Sequence, residues 1–314
     1  MTINEIMNKL ESINYGVLDK NNNNIMDDEA SEKKFNKIYR LLSAEDLLDK
    51  GYGVCWDQVE LERKLIQDSN IDCETYFIYI DDKNYLPSHT FLVYEEDNHY
   101  YWFEHSWYDQ KGIYKYNSKN ELINDVKKKF LLSRSNELDV NKYETYIYKY
   151  KKPKYNITCD EFYDFIYKQE KVYNYELKKS TKKDIDRLMY YKLKSIVDYT
   201  SDLSSYEMNK INNYINETVP KQISNYKNII YNNKIIGSIL ITINKNNILL
   251  DEIFLEKEYR NKGIGTSIIT DLINDTKKDI YLWVYKNNEA FNLYKKLGFK
   301  VIEETQTRYK MIYK

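Results

Sequence analysis

The first half of the chain alternates between helical and extended hydrophobic patterns. Apolar positions at Phe35, Tyr39, Leu42 and Leu47 predict a helix over 32–50. Val59, Leu65 and Ile66 form the inward stripe of a second helix, from Cys55 to Asp68. TYFIYI, HTFLVY and YYWFEHSW are aromatic, β-branched runs of strand type, and EEDNH between the last two predicts a hairpin. ELINDVKKKFLL, from Glu121, returns to a helical pattern. YETYIYKY, from Tyr143, predicts a further strand.

A seam follows. KKPKYN has the composition of a linker, and Thr158 with Glu161 offers a capping box for the helix CDEFYDFIYKQ. From Tyr175 the pattern becomes strictly alternating. YELKKS is a short strand, and Thr181 can cap DIDRLMYYKLKSIV. NIIYNNKIIGSILITI reads as strand, turn, strand, and NILLDEIFL as a strand before a glycine-bearing loop and a helix. DIYLWVY, NNEAFNLYKKLGF and a last strand complete one α/β unit. The expected organisation is two domains, 1–150 and 173–314, joined by a linker and helix over 151–172.

Length and charge narrow the picture. At 314 residues the chain exceeds one ordinary core. Lys plus Arg total 48 against 49 for Asp plus Glu, so the net charge of -1 gives no bulk attraction to nucleic acid or an anionic membrane. No apolar run approaches the roughly eighteen residues of a membrane span. MTINEIMNKLESIN lacks an apolar signal core, which predicts a cytoplasmic protein. Three cysteines (Cys55, Cys73, Cys159) are too few and too dispersed for a disulfide framework or a zinc site. Asp19 to Ala30 lacks the glycine and final carboxylate of a calcium loop, so no metal is expected. The 34 tyrosines, with abundant Asn, Lys and Ile, mark an AT-rich bacterial genome, so a tyrosine gains a role only by position.

The strongest chemical signal is FLEKEYRNKGIGTSIITDLI. A strand enters a loop with Gly263 and Gly265, and the loop opens a helix bearing Ile264, Ile268 and Leu272 on one face. Glycines let backbone amides approach a pyrophosphate, the helix N-terminus adds positive potential, and Arg260 can add a charged bond. The spacing differs from that of a Rossmann fingerprint. Arg260, Gly263 and Gly265, together with Asn287, Ala290, Tyr294, Gly298 and Phe299 downstream, resemble the two linked motifs of the GNAT acetyltransferase superfamily over 173–314.

That resemblance implies a GNAT-type mixed-sheet α/β domain that takes acetyl-coenzyme A as cosubstrate and an amine-bearing small molecule or peptide as acceptor. It implies that the backbone of Ile253, Phe254 and Leu255 pairs with the pantetheine arm. The loop and helix start, Arg260, Asn261, Lys262, Gly263, Ile264, Gly265 and Thr266, would hold the pyrophosphate. Asn287 would contact the pantetheine or the acceptor, and Tyr294 would protonate the departing thiolate, although a core role for this ring also fits. Glu252 is the first candidate base for the amine and Asp251, of opposite strand parity, the second. The acceptor side, roughly 190–225, carries no legible specificity pattern.

In the first half, GYGVCWDQ places Cys55 at a helix start, where the macrodipole favours a thiolate. If Asp97 and Asn98 form a two-residue turn, residue 91 faces 104 and residue 89 faces 106. Glu104 is then a diagonal neighbour of His89, with His105 on the opposite face; a one-residue slip would favour His105. GVCWD, HTFLVY and WFEHSW resemble the core of transglutaminase-like, papain-type domains, with Glu104 where that family has Asp or Asn. The resemblance implies an α+β fold with a Cys55–His89–Glu104 triad. Three readings follow: an N-acetyltransferase with a catalytic or substrate-recruiting N-terminal domain, a cysteine hydrolase acting on peptide amides with the second domain accessory, or a peptide- or protein-binding module.

Overall fold

The computed structural model describes residues 1–27, 31–82, 87–200 and 203–314. Contacts divide it into two compact units, Met1–Val172 and Tyr173–Lys314. Part of the Asp19–Ala30 segment, residues 28–30, lies outside the described residues.

The first unit runs α1 (Ile3–Leu10), β1 (Asn14–Tyr15), α2 (Ser31–Ile38), α3 (Ala44–Lys50), β2 (Tyr52–Gly53), α4 (Cys55–Asp68), β3 (Cys73–Ile80), β4 (Ser88–Glu96), β5 (His99–Glu104), β6 (Gly112–Tyr116), α5 (Lys119–Arg134), β7 (Thr145–Tyr150), α6 (Cys159–Ile166) and β8 (Glu170–Val172). Strands β6-β5-β4-β3-β7-β8 form one antiparallel sheet. Alternation along β3 divides the core between its faces. Phe77 and Tyr79 join a cluster with α4 and α6, whereas Tyr76, Ile78 and Ile80 join one with α5. Asp97 and Asn98 take φ of 50° and 60°, which suits a two-residue turn, and the β4–β5 register pairs Leu92 with Phe103 as that turn requires.

The helix expected over 32–50 is two helices. Between them Leu41 exchanges backbone hydrogen bonds with the 156–157 segment: Leu41 N–H donates to Ile157 O (3.0 Å), and Asn156 N–H donates to Leu41 O (2.8 Å). Leu42 N–H donates to Asp57 Oδ1 at 2.9 Å, and Ser43 caps a new helix by accepting Asp46 N–H at 3.1 Å. A side-chain carboxylate and the backbone of a distant segment thus replace the helical partners.

Residues 151–172 are integral to this first unit. Thr158 and Glu161 form the capping box of α6. Phe162 on that helix is fully buried and stacks on Trp56 with ring centroids 4.4 Å apart.

The second unit runs β9 (Glu176–Lys179), α7 (Ile185–Val197), α8 (Ser205–Lys221), β10 (Tyr226–Tyr231), β11 (Lys234–Ile243), β12 (Asn247–Leu255), α9 (Ile264–Asn274), β13 (Asp279–Tyr285), α10 (Ala290–Lys296), β14 (Lys300–Glu304) and β15 (Arg308–Tyr313). Its sheet is ordered β14-β15-β13-β12-β11-β10-β9, and β12–β13 is its parallel pair. That pairing stops at Leu250 opposite Leu282. Beyond it, β12 continues against β11 and β13 against β15, so the two strands part.

Phe162→Ala should destabilise the first unit by about 3–5 kcal/mol, as for large buried aromatic truncations. Urea unfolding followed by tryptophan fluorescence measures it. An unchanged midpoint would return 151–172 to the status of a linker.

Candidate functional site

The parted strands frame a cleft with a cavity volume of about 180 Å³, lined in part by residues 251–255, Val284, Tyr285 and Tyr294. A β-bulge sets which β12 side chains enter it. Leu240 of β11 faces Glu252 while Ile241 faces Leu250, so Asp251 is an extra residue. Ile248 and Leu250 belong to the core that contains α9; after the bulge Ile253 and Leu255 face that core instead. Glu252 and Phe254 are thereby turned toward α7, where Phe254 stacks on Tyr191 at 4.6 Å.

Glu252 is buried and forms an ion pair with Lys192 Nζ at 2.7 Å, with the Ser195 hydroxyl also in contact. Burial raises its pKa above the usual carboxylate range despite the pull of Lys192. Asp251 also lines the cleft, but its Oδ2 accepts the Thr242 hydroxyl at 2.7 Å. Tyr294 is buried on α10, with its ring against Phe299, and it lines the cleft. Burial raises its pKa, so the phenol holds its proton.

The glycine loop closes one end. Asn261 and Gly263 take φ of 59° and 79°, and Gly263 caps α9. A Cβ on Gly263 would meet no atom within 4 Å, so space lies open in front of this turn. Ser267 N–H donates back to Gly263 O, leaving the amides of Ile264, Gly265 and Thr266 without helical acceptors.

Arg260 is less free than the sequence suggests. Its Nε donates to Leu255 O at 2.9 Å, and Nη2 lies 3.4 Å from Asp198. Lys262 reaches over the Tyr173 ring. Asn287 donates to Tyr199 O at 3.1 Å, and its neighbour Asn288 lines the cleft in its place. Lys192, Ser195, Asn288 and Arg308 are cleft residues that the sequence reading missed. A signal for Lys192 existed in its place two turns into α7, but it acquires meaning only through the bulge.

In the first unit Cys55 is the first residue of α4, and its thiol lies within hydrogen-bonding reach of His89. Gly53 precedes it because a Cβ there would fall 2.5 Å from Leu47 Cδ1 and 2.9 Å from Asp57 Cβ. Asp57 fixes the turn by accepting Val54 N–H, Leu42 N–H and the Tyr39 hydroxyl, each at 2.9 Å. His89 Nε2 meets Glu104 Oε2 at 2.8 Å. The other Glu104 oxygen accepts Ser106 Oγ at 3.0 Å and Trp107 N–H at 2.8 Å. Burial lowers the His89 pKa, but Glu104 and Cys55 outweigh it and raise it to about 10. His105 instead meets Gln58 Oε1 at 2.7 Å through Nδ1.

Two residues join this cluster unforeseen. Glu62 is buried on the stripe of Cys55 and Gln58 (i, i+3, i+7), a spacing the sequence does show. Burial and the Glu104 charge raise it well above the carboxylate range. The Tyr15 hydroxyl reaches Cys55, although about half of the residue surface is exposed. Among the described residues, no group of three or more His, Cys, Asp or Glu has the arrangement of a metal site, and no helix is long and apolar enough to cross a membrane.

Comparison with known proteins places a family on the second half. Residues 199–312 match the model described as an acetyltransferase (GNAT) domain. N-alpha-acetyltransferase 50 from Danio rerio is 42% identical over 60 residues, 17% of this chain and 36% of that protein. The matched segment thus spans about a third of the relative's length. Among solved structures, PaiA N-acetyltransferase from Thermoplasma acidophilum in complex with coenzyme A is 23% identical, covering 45% of this chain and 98% of that one, with a TM-score of 0.39. Arabidopsis thaliana Naa50 in complex with the bisubstrate analogue CoA-Ac-MVNAL is 19% identical, covering 45% and 98%, with a TM-score of 0.33. The C-terminal part of this chain, residues 199–312, is a GNAT acetyltransferase domain.

Proposed function

We propose that this chain is an N-acetyltransferase that moves the acetyl group of acetyl-coenzyme A directly onto an amine acceptor. The observation that carries this is the cleft where β12 and β13 part. It brings the free edge of β12, Glu252 and Tyr294 to one cavity that Arg260 also lines. The backbone of Ile253 to Leu255 has no β13 partner and, apart from the Leu255 carbonyl that accepts Arg260 Nε–H, suits an extended pantetheine arm. The amides at the start of α9 suit the pyrophosphate.

The acceptor nitrogen gives its proton to Glu252, directly or through water, and attacks the thioester carbonyl. The C–S bond breaks, and Tyr294 protonates the departing thiolate, yielding an acetamide and free coenzyme A. The phenolate then regains a proton from solvent and Glu252 releases one to it, so both groups return to their starting states. The burial that keeps Tyr294 protonated fits this role.

A second reading concerns the first unit. Cys55 at a helix start, a cationic His89 and a Glu104 anchored at both oxygens suit thiol attack on a peptide amide, as in a transglutaminase-like or hydrolytic enzyme. The same pocket without turnover would recruit a peptide for the second unit. The three cysteines are free thiols, which fits a reducing cytoplasm.

Thiol release from acetyl-coenzyme A, assayed over a panel of amines, tests the main proposal; no transfer to any amine would overturn it. Glu252→Gln and Tyr294→Phe should each lower kcat by about 100-fold or more while coenzyme A still binds. Because Glu252 is raised, its basic form is lost as pH falls through a midpoint above the ordinary value of about 4.3. The acid limb of the rate profile should therefore lie above that value and vanish in Glu252→Gln. Arg260→Glu should weaken coenzyme A binding about tenfold in calorimetry. For the first unit, iodoacetamide at pH 6 should label Cys55 faster than Cys73 and Cys159, which burial pushes up to about 11. His89→Asn should remove that advantage; equal labelling in the unsubstituted protein would count against a nucleophilic Cys55.

A further inference from the structure

The cleft beside Glu252 opens into a second chamber of about 710 Å³, which shares Ile196, Tyr214, Trp283, Tyr285 and Arg308 with it. The described lining of this chamber carries two cations, Arg308 and Lys210, and no carboxylate. Most cations nearby are already matched. Lys192 pairs with Glu252, Arg260 with Asp198, Lys286 with Glu304 and Lys310 with Glu303. Arg308 has no carboxylate partner among the described residues. It lies 4.2 Å over the Tyr285 ring and donates from Nη2 to the Tyr285 hydroxyl. Lys210 lies 4.4 Å over the Tyr206 ring and near the exposed Glu207, with which it forms no close ion pair among the described residues.

Strand pairing fixes this arrangement. Tyr285 is opposite Arg308 and Trp283 opposite Lys310, so the two aromatic rings of β13 and both basic residues of β15 occupy one face. Tyr214 of α8 lines both cavities. The result is a slot with a carboxylate base at one end, aromatic walls, and an unmatched guanidinium at the other. A guanidinium presents several N–H groups in a plane and takes a carboxylate through two of them.

We propose that the acceptor is an amino carboxylate, its amine directed to Glu252, its carboxylate to Arg308 with Lys210 nearby, and an apolar or aromatic spacer between Trp283 and Tyr214. This rests on the acetyl-transfer reading above. The same anion chemistry would suit a carboxylate carried on the acyl group, and the acyl donor separates the two sources.

The test uses matched probes: 4-aminobutyrate, 6-aminohexanoate and 4-(aminomethyl)benzoate, each against its primary amide. With acetyl-coenzyme A, the acids should exceed the amides at least tenfold in kcat/KM. Arg308→Gln should bring that ratio close to one through KM, and Arg308→Lys should restore part of it. Arg308 is exposed at the start of β15, so the fold should tolerate both changes, which the melting temperature checks. A ratio near one in the unsubstituted protein, or one indifferent to Arg308→Gln, would overturn the proposal. So would an effect of Arg308→Gln confined to succinyl- over acetyl-coenzyme A. Calorimetric titration of the coenzyme A-loaded protein with 4-(aminomethyl)benzoate needs no turnover. Binding weakened tenfold by Arg308→Gln, with no amine acetylated, would retain the carboxylate site and reject acetyl transfer. Absence of both binding and turnover would reject this proposal as well.

Discussion

One extra residue in β12 governs the C-terminal site. Side chains on a strand alternate, so inserting Asp251 exchanges the faces of everything after it. Without the bulge, the position of Glu252 would share the face of Ile248 and Leu250 and enter the core beside α9. With it, Glu252 meets Lys192 and Phe254 meets Tyr191 on α7. Just beyond Leu250 the parallel pairing with β13 ends. The bulge and the parting of the strands therefore fall together, and the cavity begins where both occur. Arg260 helps hold this end: by accepting its Nε–H, the Leu255 carbonyl ties the strand terminus to the loop that follows.

The N-terminal unit depends on a different constraint, the burial of charge along one helix. α4 carries Asp57, Glu60 and Glu62 in its interior. Asp57 is held by three donors and Glu60 by Arg63, yet burial still raises them to about 6 and about 7. Glu62 is raised first by its burial and then by the charge of a nearby carboxylate, Glu104. His89 lies 2.8 Å from Glu104 in the same buried cluster. Buried ion pairs of this kind add little net stability, but losing one member leaves the other uncompensated. The arrangement thus specifies a geometry around Cys55 more than it strengthens the fold.

Local rules account for what the sequence made legible. The Asp97-Asn98 turn set the β4–β5 register, and with it the placement of His89 against Glu104. Thr158 and Glu161 announced α6 because a capping box is a four-residue signal. The glycine loop announced the start of α9. Features that need a distant partner were hidden. The break after Ile38 depends on Asn156 and Ile157, more than a hundred residues away, and on Asp57. Its one local trace, Ser43 with Asp46, is the sort of cap that a continuous apolar stripe obscures. The bulge leaves no mark in an apolar run that reads equally well as a regular strand. Asn287 and Asn288 are adjacent and identical, and only their partners in the fold tell them apart: Asn287 donates to the Tyr199 carbonyl, whereas Asn288 accepts Ala290 N–H. Arg308 gained significance through its position opposite Tyr285, not through any motif.

On the acetyl-transfer reading proposed above, the charges in the cleft bear on the protonation state of an arriving amine. Asp198, Asp251 and Glu252 contribute three carboxyl groups to its lining, and Lys192, Arg260 and Arg308 match them in number. No net charge is left over to draw in an ammonium ion, and Lys192 repels one at close range. Once an ammonium ion sits beside Glu252, water is excluded, and the cost of keeping both partners ionised rises. Burial has already moved Glu252 toward its protonated form. The gap between its pKa and that of the amine is smaller than in water, so the proton passes with less cost and leaves a neutral nucleophile. Lys192 pulls the other way and limits this shift. As the proposed base, Glu252 would therefore act from an ion pair whose burial favours its taking up a proton.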